Sequence, residues 1–87
     1  MKHRIGKDLD LVFFGEELKK LILSKGYKSL YDFHNQSAQT HISYTSLKDT
    51  VAGRIESSFS NLVNIANALE MTQGEFFNYF SYKYSRK

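Results

Sequence analysis

The apolar positions of this chain recur at helical spacing. Phe14, Leu18, Leu21 and Ile22 share one stripe while Glu16, Glu17, Lys19 and Lys20 face away from it, which predicts a first helix over residues 12–25. Its acids lead and its bases trail, as the helix dipole prefers, and Gly26 offers a left-handed stop. A second helix is expected over residues 30–36, with Ser29 as N-cap, Asp32 as an acidic variant of the capping box, and Leu30 and Phe33 pointing inward. The polar, uncharged run Ser37-Ala38-Gln39-Thr40-His41 reads as a loop. A third helix over residues 44–51 is introduced by Ser43, turns Leu47 and Val51 to one side and ends at Gly53. After a turn through Arg54 to Ser58, Leu62, Ile65, Ala66 and Leu69 fall at i, i+3, i+4 and i+7 and predict a fourth helix over residues 60–69. Thr72 with Glu75 three residues on is the signature of a capping box, opening a fifth helix whose inner side is Phe76, Phe77 and Phe80. There is no Pro, and no stretch alternates with period two for more than a few residues, so the expected fold is an all-α five-helix bundle.

Composition narrows the choice. A chain of 87 residues suits one small domain, which leaves no room for a multidomain enzyme or for a separate ligand-sensing domain, and no small-molecule effector is expected. Seven Phe and six Tyr make a compact core possible without staples, and the lack of Cys removes disulfides, thiolate zinc sites and a cysteine nucleophile. No apolar run approaches the roughly 18 residues of a membrane span, and the first eight residues lack the apolar stretch of a signal peptide, so the expected compartment is the cytoplasm, with no membrane partner. His3, His34 and His41 do not show the i,i+4 spacing of a metal pair, and the carboxylates lie on separate segments. The five Gly are scattered at helix ends and form no phosphate cradle. Neither a cofactor, a metal nor an enzymatic activity is expected.

The net charge of +3 is modest, but its distribution is polarised. Lys19, Lys20, Lys25, Lys28, Lys48 and Arg54 stand against only Asp32 and Asp49 in residues 19–54, whereas residues 55–80 carry Glu56, Glu70 and Glu75 and no base. Lys83, Arg86 and Lys87 make the end of the chain basic again.

From Ile42 to Phe77 the chain resembles the Cro and lambda-repressor (XRE-type) family of helix-turn-helix regulators. Ile42-Ser43 introduces the family's recognition helix, Leu47 and Val51 are its inward positions, and Gly53 is its stop. Leu62-Val63-Asn64-Ile65-Ala66-Asn67-Ala68-Leu69 matches the helix that follows, starting nine positions after Gly53, and Thr72 with Phe76-Phe77 matches the short capped helix after it. With Lys25-Gly26-Tyr27 ending the first helix, the resemblance covers Phe14 to Phe80, roughly three quarters of the chain. There are two departures. Ser29-Leu30 replaces the family's Ser or Thr followed by Gln, and Leu30 cannot make that polar contact; and the nine positions from Phe33 to Ile42 exceed the family's usual spacing, part of the excess being open to extension of the second helix.

The resemblance implies a lambda-repressor-like helix-turn-helix domain over residues 12–80, flanked by a basic arm, 1–11, and a basic and aromatic tail, 81–87. It also implies a sequence-specific transcriptional regulator, a repressor or autoregulator, that binds double-stranded DNA at a pseudo-palindromic operator as a homodimer. In this fold a short helix enters the major groove and neighbouring helix starts and bases hold phosphates. On the third helix Tyr44, Thr45, Lys48 and Asp49 then face outward with Ser46 at the edge, and Ser43 opens it. Thr45 and Ser46 suit base edges, Lys48 a guanine or a phosphate, and Tyr44 a sugar or a phosphate. Lys28, Ser29, Arg54 and Asn61, with Ser58 and Ser60, are the expected phosphate contacts, although Ser29 and Ser60 serve equally as plain helix caps.

The ends leave alternatives open. Lys2, His3, Arg4 and Lys7 form either a backbone-tracking arm or a solubilising terminus. Residues 76–84 hold six rings, and Phe77, Tyr79, Phe80, Tyr82 and Tyr84 are expected at an interface with a second copy, with local packing of Tyr82 and Tyr84 on the first helix as the alternative. The competing function is a protein-interaction module of this fold that does not read DNA.

Overall fold

The computed structural model describes residues 7–86, so Lys2, His3 and Arg4 of the expected arm lie outside the described residues. The order is β1 (Lys7–Leu9), α1 (Leu11–Ser24), α2 (Leu30–Phe33) running into a π-helical turn (His34–Ala38), α3 (Tyr44–Ala52), α4 (Phe59–Ala68), α5 (Gln73–Tyr79) and β2 (Tyr84–Arg86). The fold is all-α, and one short antiparallel ladder, with Lys7 opposite Arg86 and Leu9 opposite Tyr84, ties its two ends together. The segments expected as a separate arm and tail therefore meet, and the backbone N–H of Asp10 donates to the carbonyl of Lys83 at 2.8 Å.

Each helix begins where a side-chain oxygen takes up a free backbone donor. Asp10 accepts from the N–H of Phe13 and starts α1 one residue earlier than the apolar stripe suggests. Ser43 caps α3 and Thr72 with Glu75 forms the reciprocal box of α5, both as expected. Two caps differ. Ser58, not Ser60, caps α4 by accepting from the N–H of Asn61, which makes Phe59 the first helical residue and stacks its ring on Phe77, centroids 5.5 Å apart. Asp32 reaches past the cap position: its carboxylate accepts from the N–H of Lys28 rather than that of Ser29.

The expected loop over residues 37–41 is partly helical. Ala38 is wholly buried, and with neither Gly nor Pro to break the chain the helix widens by a π-turn to bring it inward. Two tethers hold that turn: the Tyr27 and Ser37 hydroxyls are hydrogen-bonded, and Nε2–H of His34 donates to the carbonyl of Ile42 at 2.8 Å.

The core consists of Phe14, Leu18, Leu21 and Ile22 of α1, Phe33, Ala38, Ile42, Leu47, the α4 side chains Ile65, Ala66, Ala68 and Leu69, and Phe76 and Phe80. Burying each large aliphatic or aromatic group contributes about 1.5–3 kcal/mol. The closest approach is between α1 and α3. Gly15, expected at a helix end, lies buried within α1, and a Cβ there would stand 2.0 Å from the carbonyl oxygen of Val51. Gly53, left-handed at φ 76°, lies against the backbone of Val12. These two contacts fix where α3 sits.

Candidate nucleic-acid interface

Helix α3 is two-sided. Leu47 and Thr50 are buried and Val51 is half-buried, whereas Ser43, Thr45 and Lys48 are exposed. Ser46 is half-buried; its N–H is spent on Ser43 at 3.1 Å and its carbonyl accepts from the hydroxyl of Thr50 at 2.8 Å. Thr50 is the single polar residue in the core of the described chain, and its hydroxyl is also hydrogen-bonded to Ser57. That bond tethers α3 to the segment leading into α4. Sequence reasoning did not single out Thr50, although its position three residues after Leu47 places it on the inward stripe.

At the far end of α3, Arg54 and Asp49 form a closed unit. The Arg54 guanidinium donates to one Asp49 carboxylate oxygen from Nε at 2.9 Å and Nη2 at 2.8 Å, while the Arg54 backbone N–H donates to the Asp49 carbonyl. With the N–H of Gly53 on the carbonyl of Thr50, this is the paired closure that a left-handed Gly permits. Asp49, expected to face outward, is half-buried and holds Arg54 in place; Arg54 itself remains 60% exposed.

At the near end, Tyr44 is half-buried rather than free. Its ring meets Tyr31 of α2 edge-on at 5.5 Å and His34 at 5.4 Å, and Nζ of Lys48 lies 5.2 Å from its centroid. Tyr31 was not picked out from the sequence; at 58% exposed it extends the surface of α3 across onto α2. The signal for it is its place between Leu30 and Phe33, which turns it away from the side that those two bury. Lys28 and Ser29 stand exposed at the start of α2, with Ser29 occupied as its cap. The N–H of Lys28 and the side-chain amide of Gln36 both donate to Asp32, holding its carboxyl below the ordinary value, so this surface carries a carboxylate beside its lysines. Asn61 is half-buried in the first turn of α4.

The structure thus gathers Ser43, Tyr44, Thr45, Ser46, Lys48, Asp49 and Arg54 on one helix and its stop, and joins the start of α2 to it through Tyr31. The aromatic residues of the C-terminal segment divide otherwise than expected. Phe80 belongs to the core, 4.4 Å from Phe14 and 5.1 Å from Phe76, so it is not a surface for a second copy. Tyr82 stacks near Phe14, its hydroxyl donates to the carbonyl of Phe77, and burial pushes its phenol above the ordinary value. This is the local packing on α1 that stood as the alternative. Tyr79 and Tyr84 are exposed and Phe77 is half-buried against Phe59.

A concavity of about 100 Å³ lies behind α3, lined mainly by Leu11, Phe14, Ile55, Leu62, Phe77 and Tyr82. Among the described residues no three His, Asp or Glu side chains gather as a metal site, and no helix is long and apolar enough to cross a membrane. No protein-family model, curated protein or solved structure matches the chain.

Proposed function

We propose that the chain is a sequence-specific DNA-binding transcriptional regulator that uses α2, the intervening turn and α3 as a helix-turn-helix and binds a pseudo-palindromic operator as a homodimer. The observation that carries this reading is the two-sidedness of α3: an apolar side seated on α1, and a flank of Ser43, Thr45 and Lys48 open to solvent with Arg54 fixed at its end. A short helix so mounted matches the width of the major groove, and short hydroxyls with one lysine suit base edges while the arginine suits a phosphate. The resemblance over Ile42 to Phe77 points the same way. One such helix reads few base pairs, which is why a two-fold dimer on two half-sites about one helical turn apart belongs to the proposal.

The test is selection from a random duplex pool, followed by measurement of affinity at several salt concentrations. The reading requires an enriched, two-fold-related site and an affinity that falls with salt by about 0.9 log units per log unit for each phosphate contacted. Recovery of no enriched sequence, with no salt-sensitive binding at micromolar protein, overturns it.

One observation favours the second reading, a protein-interaction module. Val12, Ile55 and Phe59 are exposed apolar side chains, and Ile55 also lines the concavity behind α3. On that reading, purification from a lysate yields a bound protein and nuclease treatment does not release it.

A further inference from the structure

The surface around α3 is only weakly cationic. Lys28, Lys48 and Arg54 stand against the carboxylates Asp32 and Asp49, leaving one net positive charge. Counterion release alone therefore gives this face a small share of binding free energy, and a duplex held there needs a contact that is not ionic. The rings of Tyr31 and Tyr44 offer one. They bridge the start of α2 to the start of α3, and Tyr31 is more than half exposed although the core takes up so many of the other rings. The nearby cation, Lys48, lies over Tyr44, so a polyanion approaching the rings meets a positive charge beside an apolar step.

Resting on the DNA-binding reading above, we propose that Tyr31 is a DNA-contacting residue, its ring packing with that of Tyr44 against the deoxyribose–phosphate backbone that flanks the groove occupied by α3. The C–H faces of the sugar lie on the rings, and the Tyr44–Lys48 pair places the cation toward the adjoining phosphate. The contact adds affinity that salt does not screen, and it does positional work that the apolar side chain of Leu30 cannot do. His34, tied to the Ile42 carbonyl, has its ring 5.4 Å from that of Tyr44 and braces it.

The experiment titrates the full chain and its Tyr31→Ala, Tyr31→Phe and Arg54→Ala variants against labelled mixed-sequence duplex, and against the selected site where one is enriched, across a range of salt. Tyr31→Ala is expected to weaken binding about tenfold at every salt concentration, leaving the salt slope unchanged. Tyr31→Phe keeps the ring and stays within about twofold of wild type. Arg54→Ala, by contrast, reduces the slope by about 0.9. The slope separates contact from scaffolding: were Tyr31 only supporting α3, its loss would disturb the charged contacts as well and the slope would move. Equal binding by wild type and Tyr31→Ala, or a changed slope in Tyr31→Ala, overturns the Tyr31 contact while leaving the regulator reading in place. Failure of the wild type to bind any duplex overturns both.

Discussion

Gly15 is the residue on which the placement of α3 depends. Helix propensity alone favours Ala over Gly inside a helix by about 1 kcal/mol, yet here the added methyl would meet the Val51 carbonyl oxygen at 2.0 Å, inside any allowed contact. The backbone oxygen cannot swing aside, so α1 and α3 must separate. Gly15→Ala is expected to destabilise the fold by about 1–3 kcal/mol in urea denaturation, against the trend of its propensity. Glu70 is the opposite case. It follows α4 at φ 60°, its N–H donating to the carbonyl of Asn67 and that of Met71 to the carbonyl of Ala66, the closure that ordinarily holds Gly. A side chain at this φ is strained and nothing in the capping pattern uses the carboxylate. Glu70→Gly is therefore expected to stabilise by about 0.5–1 kcal/mol, net of the extra freedom Gly gives the unfolded chain; a lower urea midpoint would refute the assignment.

At the scale of elements, the DNA-binding proposal divides the work between α3 and its stop. Lys48 stands on the exposed flank where base edges would lie, whereas Arg54 sits at the helix end under the hold of Asp49. Lys48→Ala is expected to change the preferred base at one position of the selected site at a cost of about 1–3 kcal/mol, and Arg54→Ala to weaken all duplexes alike, both read by competition gel shift. The helices could be read from the chain because their signals are local. The i, i+3, i+4, i+7 run of α4, the Thr72 and Glu75 box and the Gly53 stop each involve residues a turn or two apart. What escaped were consequences of tertiary packing. Asp10 became a cap because the β1–β2 ladder delivers it to α1; Ala38 was drawn inward by a π-turn; Ser58 displaced Ser60 because that start lets Phe59 stack on Phe77. In the candidate interface, the outward residues Thr45 and Lys48 followed from periodicity. Tyr31 and the Asp49 pairing did not, since each depends on a neighbour that only the fold brings near.

Over the whole molecule, the C-terminal rings divide between the core and the surface. Phe80 and Tyr82 close the core against α1, where Glu17, expected to face water, accepts from both the N–H and the hydroxyl of Ser81 at 3.0 and 2.9 Å. Tyr79, Tyr84 and Phe59 are left outside, and a homodimer built from this end must use them. Phe80→Ala is accordingly expected to cost about 3–5 kcal/mol of folding stability at every protein concentration, while on the homodimer proposal Tyr79→Ala leaves the monomer fold intact and weakens self-association, as read by sedimentation. The most direct measurement of the central claim is a residue-by-residue map of amide chemical shifts in the isotope-labelled chain as duplex DNA is added. The account predicts that the largest changes fall on Ser43 to Lys48, on Arg54 and on Tyr31. Changes confined to the exposed apolar residues Val12, Ile55 and Phe59, or no changes at all, would contradict it.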